Sequence, residues 1–187
     1  MPSPRLPWRL VAASTVLALC AATATYVVLD DGDDDTPTGT LELTPDGEVG
    51  DTDGVAFTTF DGAEVPLSTL RGGPTLVNFF ASTCVPCVTE MPAFEEVYQE
   101  LGDEVAFLGL AVADRPEDAL DLVERTGFTY PTAQDPDSEV ITALGGSVLP
   151  TTVLLDADGE VVGDPHSGEL DADELRALLA DELGIGA

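Results

Sequence analysis

A change of pattern at one point constrains this chain more than any other feature. Thr75-Leu76-Val77-Asn78-Phe79-Phe80 is a mostly apolar run, and after Ala81-Ser82-Thr83 a different pattern begins at Cys84. The run lacks the strict alternation of a strand with one wet face, so it suits a central strand covered on both sides. Beyond Cys84, Met91, Phe94, Val97, Tyr98 and Leu101 recur at helical spacing, which predicts a helix with one buried stripe, ended by Gly102. A buried strand that turns directly into an amphipathic helix requires a sheet with helices packed on it.

The flanking segments extend that layout. Val55 to Phe60 and Val65 to Leu67, around Asp61-Gly62, predict a hairpin, followed by one helical turn at Ser68-Thr69-Leu70. Val105 to Ala111 predicts a second buried strand. Asp114 is read as the cap of the next helix, with Glu117 in the capping-box position. That helix runs to about Thr126, with Leu120, Val123 and Gly127 in register. A short helix is expected from Asp135-Pro136 to near Leu144, stopped by Gly145. Thr151 to Leu155 and Val161-Val162 predict strands around the Asp158-Gly159 turn. A last helix starts with Asp171 as cap, Glu174 closing the box and Leu170 stapling to Leu175. The expected order is β-β-β-α-β-α-α-β-β-α, an α/β fold with a mixed central sheet, helices on both faces and an N-terminal β-hairpin extension.

Charge limits the partners. The chain of 187 residues has a formal net charge of -30 and no lysine. Arg5 and Arg9 precede the first acid, so the remainder sets 36 acids against four arginines. Such a surface repels nucleic acid and anionic headgroups. It suits basic partners or a high-salt medium in which screening relieves self-repulsion.

The N-terminus reads as an address. Leu10 to Leu29 is uncharged over twenty residues, enough at about 1.5 Å per residue to cross a hydrocarbon core of about 30 Å. Arginines lie before it and Asp30-Asp31-Gly32-Asp33-Asp34-Asp35 after it, which places the short end in the cytoplasm and the rest outside. Two other readings also export the chain: a signal peptide cleaved near Ala22-Thr23-Ala24, and a lipoprotein modified at Cys20, although Leu19 is large for a lipobox. Residues 1–29 are thus an anchor or signal segment, 30–50 an acidic flexible linker, and 51–187 a single folded domain.

Cys84 and Cys87 are the candidate reactive pair, Cys20 being read as a small apolar residue of the span. A zinc site is disfavoured, because four ligands are needed and His166, the only histidine, reads as a surface residue. Cys84 falls where unpaired backbone N–H groups and the helix dipole favour an anion, so its thiol should ionise readily and attack disulfides. Cys87 lies on the same helix face, shielded, and can resolve the mixed disulfide. Pro86 fits the first turn, where its missing N–H had no partner to lose. Glu90 should mildly oppose thiolate formation if it is close. Asp114, just past the second central strand, caps its helix or shuttles a proton to Cys87, and the two roles can hold together. Pro150 opens a strand; from the residues alone its peptide bond is expected to be trans, as for most prolines.

The run Asn78-Phe79-Phe80-Ala81-Ser82-Thr83-Cys84-Val85-Pro86-Cys87, with Glu90-Met91-Pro92, resembles the thioredoxin-like TlpA/ResA/CcmG group of membrane-anchored extracytoplasmic reductases. Leu149-Pro150-Thr151-Thr152 is similar to that group's cis-proline loop, and Asp156 with Gly159 to the turn after it. The resemblance covers about residues 50 to 184. It implies a thioredoxin-like fold, a cis Pro150, Cys84 as nucleophile, Cys87 as resolving cysteine, and Glu90 and Asp114 as active-site acids. Thr83, Val85, Pro86, Leu149 and Thr151 would then meet the substrate. Expected partners are disulfide-containing extracytoplasmic proteins, possible substrates including apocytochrome c, and a membrane thiol-electron donor. The protein is expected to be a monomer, with no cofactor and no metal. Three residues depart from the group's pattern: Thr83 stands where a tryptophan is usual, Leu149 is larger than usual before the proline, and Asn78 replaces the buried aspartate of cytoplasmic thioredoxins. Buried proton transfer would then fall to Asp114, Glu90 or water.

Two other functions stay open on the sequence. Thr83-Cys84 faintly matches a peroxidatic site, but Phe80-Ala81-Ser82 lacks the expected proline and Cys87 is too near to be the usual distant resolver. A tethered binding or chaperone module with an idle dithiol is the other. Reductase, oxidase and isomerase share this machinery, and the sequence names no electron donor.

Overall fold

The computed structural model of the protein describes residues 54–186. The apolar run Leu10–Leu29, Cys20 and the acidic linker lie outside the described residues. Among the described residues, no helix is long and apolar enough to cross a membrane.

Among the described residues, seven strands form one mixed sheet: β1 (Ala56–Thr58), β2 (Glu64–Pro66), β3 (Thr75–Phe80), β4 (Ala106–Val112), β5 (Thr132–Asp135), β6 (Thr151–Leu155) and β7 (Val161–Ser167). Their spatial order is β2-β1-β5-β4-β3-β6-β7. The helices are α1 (Val85–Leu101), α2 (Pro116–Thr126), α3 (Glu139–Ala143) and α4 (Ala172–Leu183), with a 3-10 turn at Leu67–Leu70. β3 pairs parallel with β4 and antiparallel with β6, and all six of its residues are buried. The mostly apolar run thus has the physical cause expected of it, cover on both faces.

Alternate side chains of β3 enter two cores. Leu76 and Phe80 pack with Met91, Phe94 and Val97 of α1, Ala119 and Leu122 of α2, and Leu175 and Leu179 of α4. Val77 and Phe79 pack on the opposite face with Leu67, Val140, Ile141 and Leu144. α4 begins with the expected capping box, in which Asp171 accepts from the Glu174 N–H and Glu174 from the Asp171 N–H. At the turn after β6, Gly159 has φ +82°. A side chain there would adopt a strained backbone and strike Arg71.

Five expectations change. Residues 132–135 form β5, a strand between the two middle helices, so the order from β3 onward is β-α-β-α-β-α-β-β-α. Asp135 ends that strand instead of starting a helix, although its carboxylate still reaches forward to the N–H groups of Val140 and Ile141 at 3.1 and 2.9 Å. The N-cap of α2 is Arg115 and no side chain caps it, so Asp114 is not the cap. The buried face of α2 is Ala119 and Leu122, which leaves Leu120 46% exposed. β7 is also longer than the two residues expected.

Candidate active site

The site lies at one edge of the sheet. β3 and β4 run parallel, so the loops leaving their C-terminal ends emerge together. β6 runs the other way, with Thr151 beside Phe79, so its N-terminal end brings Leu149 and Pro150 to the same edge. The Leu149–Pro150 peptide bond is cis, as the resemblance implies and against the expectation from the residues alone.

The chain leaves β3 through a tight turn in which the Cys84 N–H donates to the Ala81 carbonyl at 3.0 Å. Cys84 is then the N-cap of α1, and its Sγ accepts from the Cys87 N–H at 3.3 Å. A sulfur in that position meets one of the helix's unpaired donors and the positive end of its dipole, both of which favour a thiolate. Val85 is the first helical residue and Pro86 the second, where a proline breaks no intrahelical bond. Cys84 and Cys87 are joined in a disulfide with S–S 2.01 Å and Cα–Cα 5.3 Å. Cys84 is half-buried, whereas Cys87 has no exposed surface. Of the pair, Cys84 alone has exposed surface.

The residues around the pair divide by exposure. Thr83 and Pro86 are exposed, Val85 is 75% exposed, and Leu149 is half-buried. Thr151 does not reach the surface; it is fully buried and its hydroxyl donates to the Val148 carbonyl at 2.7 Å. His166 is half-buried on β7, opposite Thr152.

Glu90 sits one helical turn beyond Cys87 on the same face of α1 and is buried. Its Oε1 accepts from Asn78 Nδ2 at 2.9 Å and its Oε2 from the Leu170 N–H at 3.3 Å. Burial pushes the carboxyl up to about 7, those two bonds opposing the shift and the nearby Glu169 adding to it. Asn78 also accepts from the Tyr130 hydroxyl at 3.5 Å. Burial holds the Tyr130 phenol well above its ordinary range, and it stays a neutral donor. Sequence reading missed Tyr130 as a partner of Asn78 and the Leu170 N–H as a partner of Glu90, because no local pattern links residues so far apart.

Asp114 does not cap α2 and bonds instead to the loop that leaves β3. Its Oδ2 accepts from the Ser82 N–H at 2.5 Å, its Oδ1 from the Ser82 hydroxyl at 2.8 Å, and Oδ1 again from the Arg115 N–H at 3.1 Å. Three donors therefore occupy this carboxylate. Ser82 was not singled out by its sequence context; only its position two residues before Cys84 marks it. Among the described residues, no group of three or more His, Cys, Asp or Glu is placed to hold a metal.

Residues 46–163 match the AhpC/TSA family. The chain is 33% identical over 126 residues to the thiol-disulfide oxidoreductase ResA of Bacillus thuringiensis, covering 65% of this chain and 70% of that protein. Among solved structures it resembles DsbF of MTB, with TM-score 0.61 and 26% identity over 68% of this chain and 93% of that one. It also resembles a thioredoxin-family thiol:disulfide interchange protein of Chlorobium tepidum, with TM-score 0.59 and 28% identity over 70% and 93%. The fold is thioredoxin-like, the dithiol lies at the strand-to-helix junction, and the chain belongs to the AhpC/TSA family, in its group of ResA-like thiol-disulfide oxidoreductases.

Proposed function

We propose that the protein reduces disulfides of proteins outside the cytoplasm. Residues 1–29 hold it at the membrane, 30–50 space it from the surface, and 51–187 do the chemistry as a monomer. The half-exposed Cys84 sulfur at the N-terminus of α1, linked to a wholly buried Cys87, carries this reading.

In the reduced protein the Cys84 thiolate attacks one sulfur of the partner's disulfide. That S–S bond breaks, the partner's other sulfur leaves and takes a proton, and a mixed disulfide joins the two proteins. Cys87 loses its proton and attacks Cys84 Sγ, which releases the partner's second thiol and leaves the Cys84–Cys87 disulfide seen here. Two electrons from a membrane thiol carrier restore the dithiol. Glu90, one turn from Cys87 and titrating near neutrality, is suited to exchange the buried proton. Thr83, Val85, Pro86 and Leu149 form the rim on which the partner rests, and Pro150 sets the backbone beside it.

Insulin reduction driven by a small dithiol tests the activity: the wild type should accelerate it and Cys84→Ser should not. Equal inactivity of both would refute the enzyme and favour an idle dithiol in a binding module. Hydrogen peroxide consumption in the same system would favour a peroxidase, the reading that the AhpC/TSA match keeps in view. The reduction potential of the pair tests direction, a value near about -270 mV fitting a reductant and one near about -120 mV an oxidant.

A further inference from the structure

We propose that Asp114 is a positioning residue that clamps the turn carrying Cys84, by gripping Ser82, and so holds the Cys84 sulfur on the helix N-terminus. This rests on the redox reading of Cys84 and adds to it the device that keeps the nucleophile in place.

Ser82 is the first inner residue of the turn closed by the Cys84 N–H and the Ala81 carbonyl. Both of its donors, backbone N–H and hydroxyl, go to the two oxygens of Asp114, across 32 residues of sequence. The bonds tie the loop after β3 to the loop after β4, which the parallel pairing of those strands has already brought side by side. A carboxylate acceptor makes each bond about twice as strong as a neutral pair. The backbone that presents Asp114 is itself shaped for the task. Ala113 has φ +48°, a left-handed conformation unfavourable for a residue with a Cβ, and its N–H is anchored on the Asp135 carbonyl at 3.0 Å. The chain therefore leaves β4 at a sharp angle that turns Asp114 back toward Ser82 before α2 begins at Pro116.

The consequence for the sulfur is geometric. Cys84 meets the helix through its N-cap position and a 3.3 Å contact from the Cys87 N–H. The stabilisation that a helix end gives an anion falls away within the first turn. A turn free to drift would carry the sulfur off these donors, raise its pKa and reduce the thiolate at neutral pH. The Asp114 charge acting alone predicts the opposite sign, since removing a nearby negative charge lowers a thiol's pKa.

The test is the pH dependence of Cys84 alkylation by iodoacetamide in the reduced full-length protein, followed by peptide mass spectrometry. Ser82→Ala keeps the Asp114 charge and the backbone bond but loses the hydroxyl bond. It should raise the Cys84 pKa and slow alkylation at pH 7 by about threefold, and Asp114→Ala by about tenfold. Ser82→Thr, which restores a hydroxyl, should return the rate to within about twofold of wild type. Unchanged profiles in Ser82→Ala and Asp114→Ala, or faster alkylation in Asp114→Ala, would overturn the clamp. If Asp114→Ala shows no cooperative unfolding transition, Ser82→Ala decides. Failure of the enzyme reading would show separately, as a wild type that cannot reduce insulin whatever its alkylation profile.

Discussion

Replacing Glu90 by Gln should make the protein less stable in acid and more stable at mildly alkaline pH. The folded carboxyl titrates at about 7, against 4.5 for the ordinary group. The folded state therefore binds the proton more tightly than the unfolded chain. The stability that this binding contributes is fully present below about pH 4.5 and is lost as pH rises through 7. Moving the titration that far corresponds to about 3 kcal/mol. Gln does not titrate. It keeps an oxygen for the Asn78 amide but turns its own N–H₂ toward the Leu170 N–H, a donor facing a donor that costs about 1 kcal/mol. The variant should thus be roughly equal to wild type near pH 5 and about 2 kcal/mol more stable at pH 8. Urea unfolding of the two oxidised proteins at intervals from pH 5 to 8 measures this directly. The repulsion among the many surface acids is common to both and cancels. A difference between the two proteins that stays constant across that range would refute the claim that burial perturbs Glu90.

Other substitutions test the packing around the site. Phe94→Ala opens a void in the face of the core under α1, where Phe94 is fully buried, and should destabilise by about 3–5 kcal/mol in urea unfolding. Asp171→Ala removes one half of the capping box of α4 and should cost about 1 kcal/mol by the same measurement, with Asp171→Ser recovering most of it. Gly109→Ala places a methyl 3.1 Å from Phe80, Thr132 and Tyr130 at the centre of the sheet; the melting temperature should fall, since Phe80 and Tyr130 are buried rings that must give way.

The parts of this protein that read clearly from sequence are those fixed by local period. β3 showed because both its faces are covered and no polar alternation interrupts the run. α1 showed because Met91, Phe94 and Val97 keep helical spacing, and the proline of the dithiol stands where a helix start tolerates it. β5 did not show, because Thr132-Ala133-Gln134-Asp135 looks polar. Gln134 and Asp135 are nevertheless buried, the first giving a side-chain N–H to the Thr59 carbonyl at 3.2 Å and the second taking the Val140 and Ile141 N–H groups of α3. Partners supplied by other elements allow such residues inside, and spacing does not reveal them. The same reason hid the grip of Asp114 on Ser82 and the contact of Leu170 with Glu90. Leu120 misled in the other direction: it looked like core, but Ala119 and Leu122 fix the buried face of α2 and turn Leu120 to solvent.

Trapping the covalent intermediate tests the division of labour between the two sulfurs most directly. Reduced Cys87→Ser protein would be mixed with an oxidised protein substrate, quenched in acid and resolved without reductant, with the linked peptides identified by mass spectrometry. An adduct through Cys84 should accumulate, because the sulfur that would release it is gone, and Cys84→Ser should give none. An adduct through Cys87 in the Cys84→Ser protein, or none in either variant, would contradict the account.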